Sequence, residues 1–509
     1  MKRLRRAAVI AGAVLAAALG LGGQPEIASA DTVPPGTITV PVSDVNLQDV
    51  FVDPINHTAY LATSDNGVSA IDLSSDTAAA TIATAAKGLA GFTIDPASDT
   101  IYLGSWFSNA ITVISGSSNT VAATIKLPAG MLADSLAFDP GTGLLYAGTY
   151  NNGILVIDPA SGSVTATIAS AIHFHLSLAL DATHHVLYAE PFGGNQVLVI
   201  DTATGLVTTR FPVTITAGGN GALALSGTGS TLYVIGGQSV AAYSTATHVT
   251  AGITIFGRES VPSAVLDSTT GNLYKAAASV SGTSSYVAQL DGATATVTGQ
   301  IPLPGPGRVA IDEATSTLVY ATAGDVLLIP LQATGPITSS SAATFTAAKK
   351  SRFTVTAPGT PPPTFTEAGK LPAGVSLAAS GILGGMPSMG TGGIYHITIT
   401  ARNGLGAAVT KPFTLTVHQP AAITTASHAT FTHGRHATFT IRTTGFPAAA
   451  IRATGPLPAG LKFTAAKNGT ATITGTPAGS AKGKTYILRL TASNGVGATI
   501  TQRFTLKVT

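Results

Sequence analysis

The chain has 509 residues, enough for two to four domains with sizeable cores, and no Cys, which excludes disulfides, thiolate metal sites and thiol nucleophiles. Only 10% of residues are charged, Gly, Ala and Thr abound, and the apolar runs are short and rich in Val and Ile, which favours strands over helices. The formal net charge of +3 equals that of the first thirty residues alone and hides an asymmetry: residues 31–335 hold 6 Lys/Arg and 21 Asp/Glu, whereas residues 336–509 hold 16 Lys/Arg and one acid, Glu367.

Residues 1–30 read as an export signal. MKRLRR is a positive leader, AAVIAGAVLAAALGLGG an apolar stretch, and Ala28-Ser29-Ala30 a small-residue cleavage site before Asp31. The general secretory route fits better than a twin-arginine one. No later segment approaches the roughly 20 apolar residues that span a bilayer. A secreted or extracellular location is therefore expected, with association with the cell wall as one form of it.

Seven related units follow. Each starts with an Asp seven residues before a Tyr: Asp53/Tyr60, Asp95/Tyr102, Asp139/Tyr146, Asp181/Tyr188 and Asp267/Tyr274, with Ser226/Tyr233 in the fifth. In the seventh, Asp312 is followed by Tyr320, one place late. The starts lie 42, 44, 42, 45, 41 and 45 residues apart. Each unit parses into four short strands, as SLAFD, LLYAGTY, GILVID and SVTATI do in the third, with Gly, Asn, Asp and Ser supplying turns between them. Four strands per 40–45 residues is the period of a propeller blade, and such blades bury both faces only by stacking. The last unit has three clear strands, and GTITVPV (36–42) supplies its fourth. Residues 31–335 thus form a seven-bladed β-propeller.

Units such as IYLGSWFSNAITVISGSSNTVAATIKL resemble the YVTN-type repeat, also called the YncE-like or surface-layer-type propeller; the likeness covers about residues 36–332. The composition then changes. LPAGVSLAASGILGGMPS (371–388) parallels LPAGLKFTAAKNGTATITGTPA (457–478), and ITITARNGLGAAVTKPFTLTV (397–417) parallels LRLTASNGVGATITQRFTLKV (488–508). Two copies of about 85–90 residues with alternating strands suit β-sandwiches. They resemble the bacterial putative-Ig family, found in secreted and surface proteins. Residues 336–419 and 420–509 are the two Ig-like domains, with Gly-Pro at 335–336 and Gln-Pro at 419–420 as short linkers. The fold class is all-β.

The recurring Asp53, Asp95, Asp139, Asp181, Asp267 and Asp312 could be a ring of carboxylates. Their place at strand ends, in nearly every unit, instead points to turn chemistry, the carboxylate accepting backbone N–H bonds. Asp158 and its kin at the third strand's end read the same way, and the repeated Tyr as inter-blade packing.

Sites are sought among residues that break the repeat. Loops joining second to third strands, and loops between blades, emerge on one face. They carry Trp106 (the only Trp), Phe107, Tyr150, Phe174, Phe192, Arg258 and Glu259, which either line the channel mouth as a small-molecule, sugar or peptide site or cover blade edges. His173, His175 and Glu190, with Asp134, are weak metal candidates, as are His184-His185 and His433/His436, since no ligand signature accompanies them. No metal and no cofactor is expected. No nucleophile elbow, P-loop or dinucleotide fingerprint is present, and the acidic propeller disfavours nucleic acid. The expected role is binding or scaffolding at the envelope by a monomer, with a cell-wall polymer, glycan or surface protein as partner. The alternatives are a propeller hydrolase or lyase using His173, His175 and Glu190, and a carrier for a small molecule.

Overall fold

The computed structural model describes residues 33–42, 47–63, 67–150, 152–168, 175–191, 194–214, 221–256, 263–278 and 284–509. It divides into two compact units, Met1–Gln332 and Ala333–Thr509.

The first unit is a seven-bladed propeller of four-stranded antiparallel sheets. The innermost strands are Leu47–Asp53, Leu89–Asp95, Ala133–Asp139, Leu176–Asp181, Ala222–Leu225, Ala264–Leu266 and Arg308–Asp312. Six blades are built from four consecutive strands; the seventh is completed by Ile38–Pro41, which pairs antiparallel with Asp325–Pro330. Two-residue alternation alone cannot bury a sheet on both faces, so the second and third strands of most blades are almost wholly apolar, as in Thr58–Thr63 and Gly153–Asp158, whereas blade six also buries Lys275 and Gln289 there. Each interface between neighbouring blades is one apolar cluster. The repeated tyrosines sit there: Tyr60 between blades one and two, Tyr146 between three and four, Tyr233 between five and six. Tyr60 donates to Asn119 Oδ1 (2.5 Å) and Tyr233 to the Gly292 carbonyl (2.7 Å), so each polar tip reaches a partner across the interface.

The second unit comprises two Ig-like β-sandwiches. In the first, Thr364–Gly369, Gly393–Arg402 and Val409–Ile423 face Ser351–Thr354, Ile382–Gly385 and Val375–Leu377 across a core that includes Phe345, Ile399, Phe413 and Leu415. In the second, Ala437–Phe446, Thr470–Gly475 and Leu461–Ala465 face His428–Phe431, Ile500–Val508, Thr485–Ser493 and Ala450–Thr454 around Ile441, Ile473, Leu490 and Phe504. Both begin with a short strand pairing parallel with the sandwich's last strand, Ala342–Thr346 on Val409–Ile423 and His428–Phe431 on Ile500–Val508.

The junction departs from the sequence expectation. Gln419-Pro420, read there as a linker, lies inside Val409–Ile423, which continues from the first sandwich to pair with Ala437–Phe446 of the second. Pro420 is tolerated because the ladder is irregular between Gln419 and Ala422, where no N–H is required. Gln419 Oε1 accepts from the Gly390 and Gly392 N–H groups (2.8 and 3.1 Å), and Asn494 donates to the Gln419 carbonyl (2.7 Å). A Cβ on Gly392 would lie 2.7 Å from Gln419 Cβ and 2.8 Å from Phe446 Cβ, so only glycine fits between the sandwiches here.

Candidate functional site

The repeated acids are occupied by turns. Asp139 accepts from Gly141 N–H (2.9 Å) and Asp95 from Ala97 N–H and the Ser98 hydroxyl (3.0 and 2.6 Å). Asp267 takes the N–H and hydroxyl groups of both Thr269 and Thr270. Asp312 accepts from Ala314 N–H and Thr315, and also meets His57 Nδ1 of blade one (3.1 Å). Asp158 takes the Ser161 hydroxyl (2.7 Å) and Ala160 N–H (3.0 Å), which together hold its carboxyl below the usual range. All these turns join first to second or third to fourth strands and therefore lie at one end of the propeller. His184, bonded to Asp181, shares that end.

The central channel is a cavity of about 660 Å³ lined by the innermost strands of all seven blades. Its walls are knitted by hydroxyls that accept an N–H from the next blade: Leu178 N–H donates to Ser135 Oγ (3.1 Å), Leu223 N–H to Ser177 Oγ (2.8 Å) and Val309 N–H to Ser263 Oγ (2.9 Å). Four of the sequence-derived residues converge at the end opposite these turns. His175, just before the innermost strand of blade four, bonds through Nδ1 to Asp134 Oδ2 of blade three. The Trp106 ring lies 4.5 Å and the Tyr150 ring 4.6 Å from the His175 ring. Asp134 owes its aim to a bulge: Ala133 pairs with Thr149 and Ser135 with Gly148, leaving Asp134 as the extra residue. Its side chain is 5% exposed, Oδ1 has no hydrogen-bond partner among the described residues, and burial pushes its carboxyl up against the lowering pull of His175.

Glu190 also lines the channel, at the end of strand Val186–Pro191. It is 1% exposed, neither carboxylate oxygen has a partner among the described residues, and burial pushes its carboxyl up to about 7. Phe107 does not join the group; it is 76% exposed with its ring over Gly88. His173, Phe174, Phe192, Arg258 and Glu259 lie outside the described residues. Among the described residues no three His, Asp or Glu side chains are placed to hold a metal ion, and His175, Glu190 and Asp134 do not form such a set.

Sequence reasoning missed Asp49 and Arg308, which face the channel from blades one and seven. Burial raises the Asp49 carboxyl and lowers the Arg308 guanidinium, each opposed by the other's charge. The signal was present: counted back four places from the repeated Asp or Ser, the units read Asp49, Gly91, Ser135, Ser177, Ala222, Ser263 and Arg308. Three of these are the wall hydroxyls, and two are charges.

The C-terminal unit settles its own class. Residues 315–418 and 419–509 match the family described as "Putative Ig domain". Two Ig-like domains follow the propeller. The first match begins inside the seventh blade, whose second strand is Thr317–Ala321. No curated protein matches the chain. Solved structures similar to it include a chain of the mitotic checkpoint complex (13% identity, TM-score 0.48, over 60% of this chain and 95% of that one). Hydrazine synthase of Kuenenia stuttgartiensis aligns at 12% identity and TM-score 0.47, over 59% and 98%. The WD40 repeats of RRP9 align at 13% and 0.49, over 58% and 99%.

Proposed function

We propose that this chain is a secreted, envelope-associated binding and scaffold protein. Its propeller takes a ligand in the channel, and its Ig-like domains attach it to an anionic cell-wall polymer, an acidic glycan or a surface protein. The observation that carries the reading is the open channel of about 660 Å³ in which residues dispensable to the blades gather: Trp106, Asp134, His175 and Glu190. The repeat's own Asp and Tyr side chains are occupied by turns and blade contacts, so what breaks the repeat is left for recognition. Export is supported by the leader-like residues 1–30.

Attachment is supported by the sheet that holds Thr485–Ser493 and Ile500–Val508. Arg452, Arg489, Arg503 and Lys507 are exposed on its outer face, with Arg489 directly opposite Arg503 and no acid on its four strands. Like charges in direct cross-strand register destabilise a sheet, and an anionic partner relieves that repulsion. The test is sedimentation of the full chain with purified cell walls at low and high NaCl, alongside Arg489→Glu/Arg503→Glu. Retention that ignores both salt and the double substitution refutes electrostatic attachment.

One observation favours a second reading. His175 oriented by Asp134, with Glu190 poised near neutrality, is an acid–base set suited to a hydrolase or lyase. Incubation with lactones and uronic-acid glycans, comparing the wild type with His175→Ala, decides it; absence of turnover, or turnover that survives the substitution, excludes this site as its source.

A further inference from the structure

We propose that the propeller channel binds a small organic cation, with an amine or guanidinium group seated on Glu190. The inference rests on the reading of the channel as a ligand site and names the ligand's chemistry. Glu190 pairs across the sheet with Ser177. The residues opposite the corresponding position elsewhere are Ala62, Gly104, Gly148, Ile235, Ala276 and Ala321, all without a charge. A blade therefore needs no carboxylate there. Blade four nevertheless buries one with both oxygens unpartnered among the described residues, an arrangement whose desolvation cost none of their contacts offsets. A donor-rich cation entering from the cavity supplies the missing bonds.

Three further observations fit this class of ligand. Gly221 stands against the carboxylate, and a Cβ on it would lie 2.3 Å from Glu190 Oε2, so the wall is cut back where Glu190 sits. Among the described lining residues, Asp134, Asp49 and Glu313, the last bonded to Ser268, stand against one permanent cation, Arg308, an excess of acids that favours a cationic ligand over an anion. Trp106 lines it too, offering an aromatic face to a cation or an alkyl chain. A bare metal ion fits less well: hard cations require several oxygen ligands around one point, and among the described residues no cluster of three acidic or His side chains is placed to supply them.

The test uses the full chain and its single tryptophan, which borders the cavity. Trp106 emission is titrated with agmatine and putrescine, and with 1,4-butanediol and succinate as uncharged and anionic counterparts of similar length. Expected are saturable responses to the two amines, none to the controls, and a loss of amine affinity of about tenfold or more in Glu190→Gln, a near-isosteric change that keeps the fold by circular dichroism. Saturable binding of butanediol or succinate in place of the amines overturns the inference and leaves the channel a ligand site. Amine binding that Glu190→Gln does not weaken overturns it as well. A silent response to all four probes refutes the amine proposal, and if solutes extracted from walls are silent too, the reading of the channel as a ligand site falls with it.

Discussion

Replacing Glu190 by Gln is expected to make the propeller's stability less dependent on pH. The carboxyl is buried without partners, and its pKa is pushed from 4.5 up to about 7 in the folded chain. A group with a raised folded pKa holds its proton more tightly in the folded state. Its contribution is therefore most favourable below pH 4.5 and is lost as the pH rises through 7. At 1.36 kcal/mol per tenfold, the span from 4.5 to about 7 amounts to about 3 kcal/mol lost at pH 8, of which less than roughly 1 kcal/mol has gone by pH 5. The substituted amide would also lack partners, but its cost does not vary with pH. Asp49, Asp134, His175, Arg308 and Glu313 border the same cavity and are present in both proteins, so Glu190 is the one group that differs between them. Unfolding about 300 residues releases roughly 0.6 kcal/mol per kelvin, so the gap in melting temperature between variant and wild type should widen by about 5 °C from pH 4 to pH 8. The assay is calorimetry of the propeller transition in phosphate–citrate, avoiding amine buffers that could occupy the site. A gap that stays constant across that range refutes the account of Glu190 as a buried, unpaired acid.

Two other outcomes are expected. Asp267→Ala removes a buried carboxylate that accepts four hydrogen bonds and should cost about 2–3 kcal/mol by urea denaturation, whereas Asp158→Ala, where the carboxylate of a similar turn is exposed, should shift the midpoint far less. Gly392→Ala drives a methyl into Gln419 and Phe446 and should destabilise both Ig-like domains by about 1–3 kcal/mol, seen as a lower melting temperature of the C-terminal transition with the propeller transition unmoved.

The propeller was legible because its chemistry repeats. An Asp that closes a turn and a Tyr that fills an interface recur at nearly constant spacing, and the seven units correspond to seven sheets. The site was legible only in part. Trp106, Tyr150 and His175 announced themselves by breaking the pattern, but the bond from His175 to Asp134 depends on a bulge that redirects one side chain across a blade interface, and no local pattern encodes that. Asp49 and Arg308 were readable in principle, since the repeated Asp fixes the register of every innermost strand. The junction at Gln419-Pro420 misled because proline usually ends a strand; here the ladder slips at that point and the strand continues.

The seam of the propeller has a consequence for how the ring comes to exist. Every other pairing in it joins strands consecutive in the chain, but Ile38–Pro41 must find Asp325–Pro330, the strand of the ring farthest from it in sequence. The strand thus cannot pair until the seventh blade has been made, and the contact that closes the circle also closes the longest loop. Until then the seventh blade presents a bare edge, and a chain clipped near residue 42 would present it permanently, open to the corresponding strand of a second copy. The four residues Ile38–Pro41 act as a latch: they contribute little to the core, yet they decide whether the ring is shut.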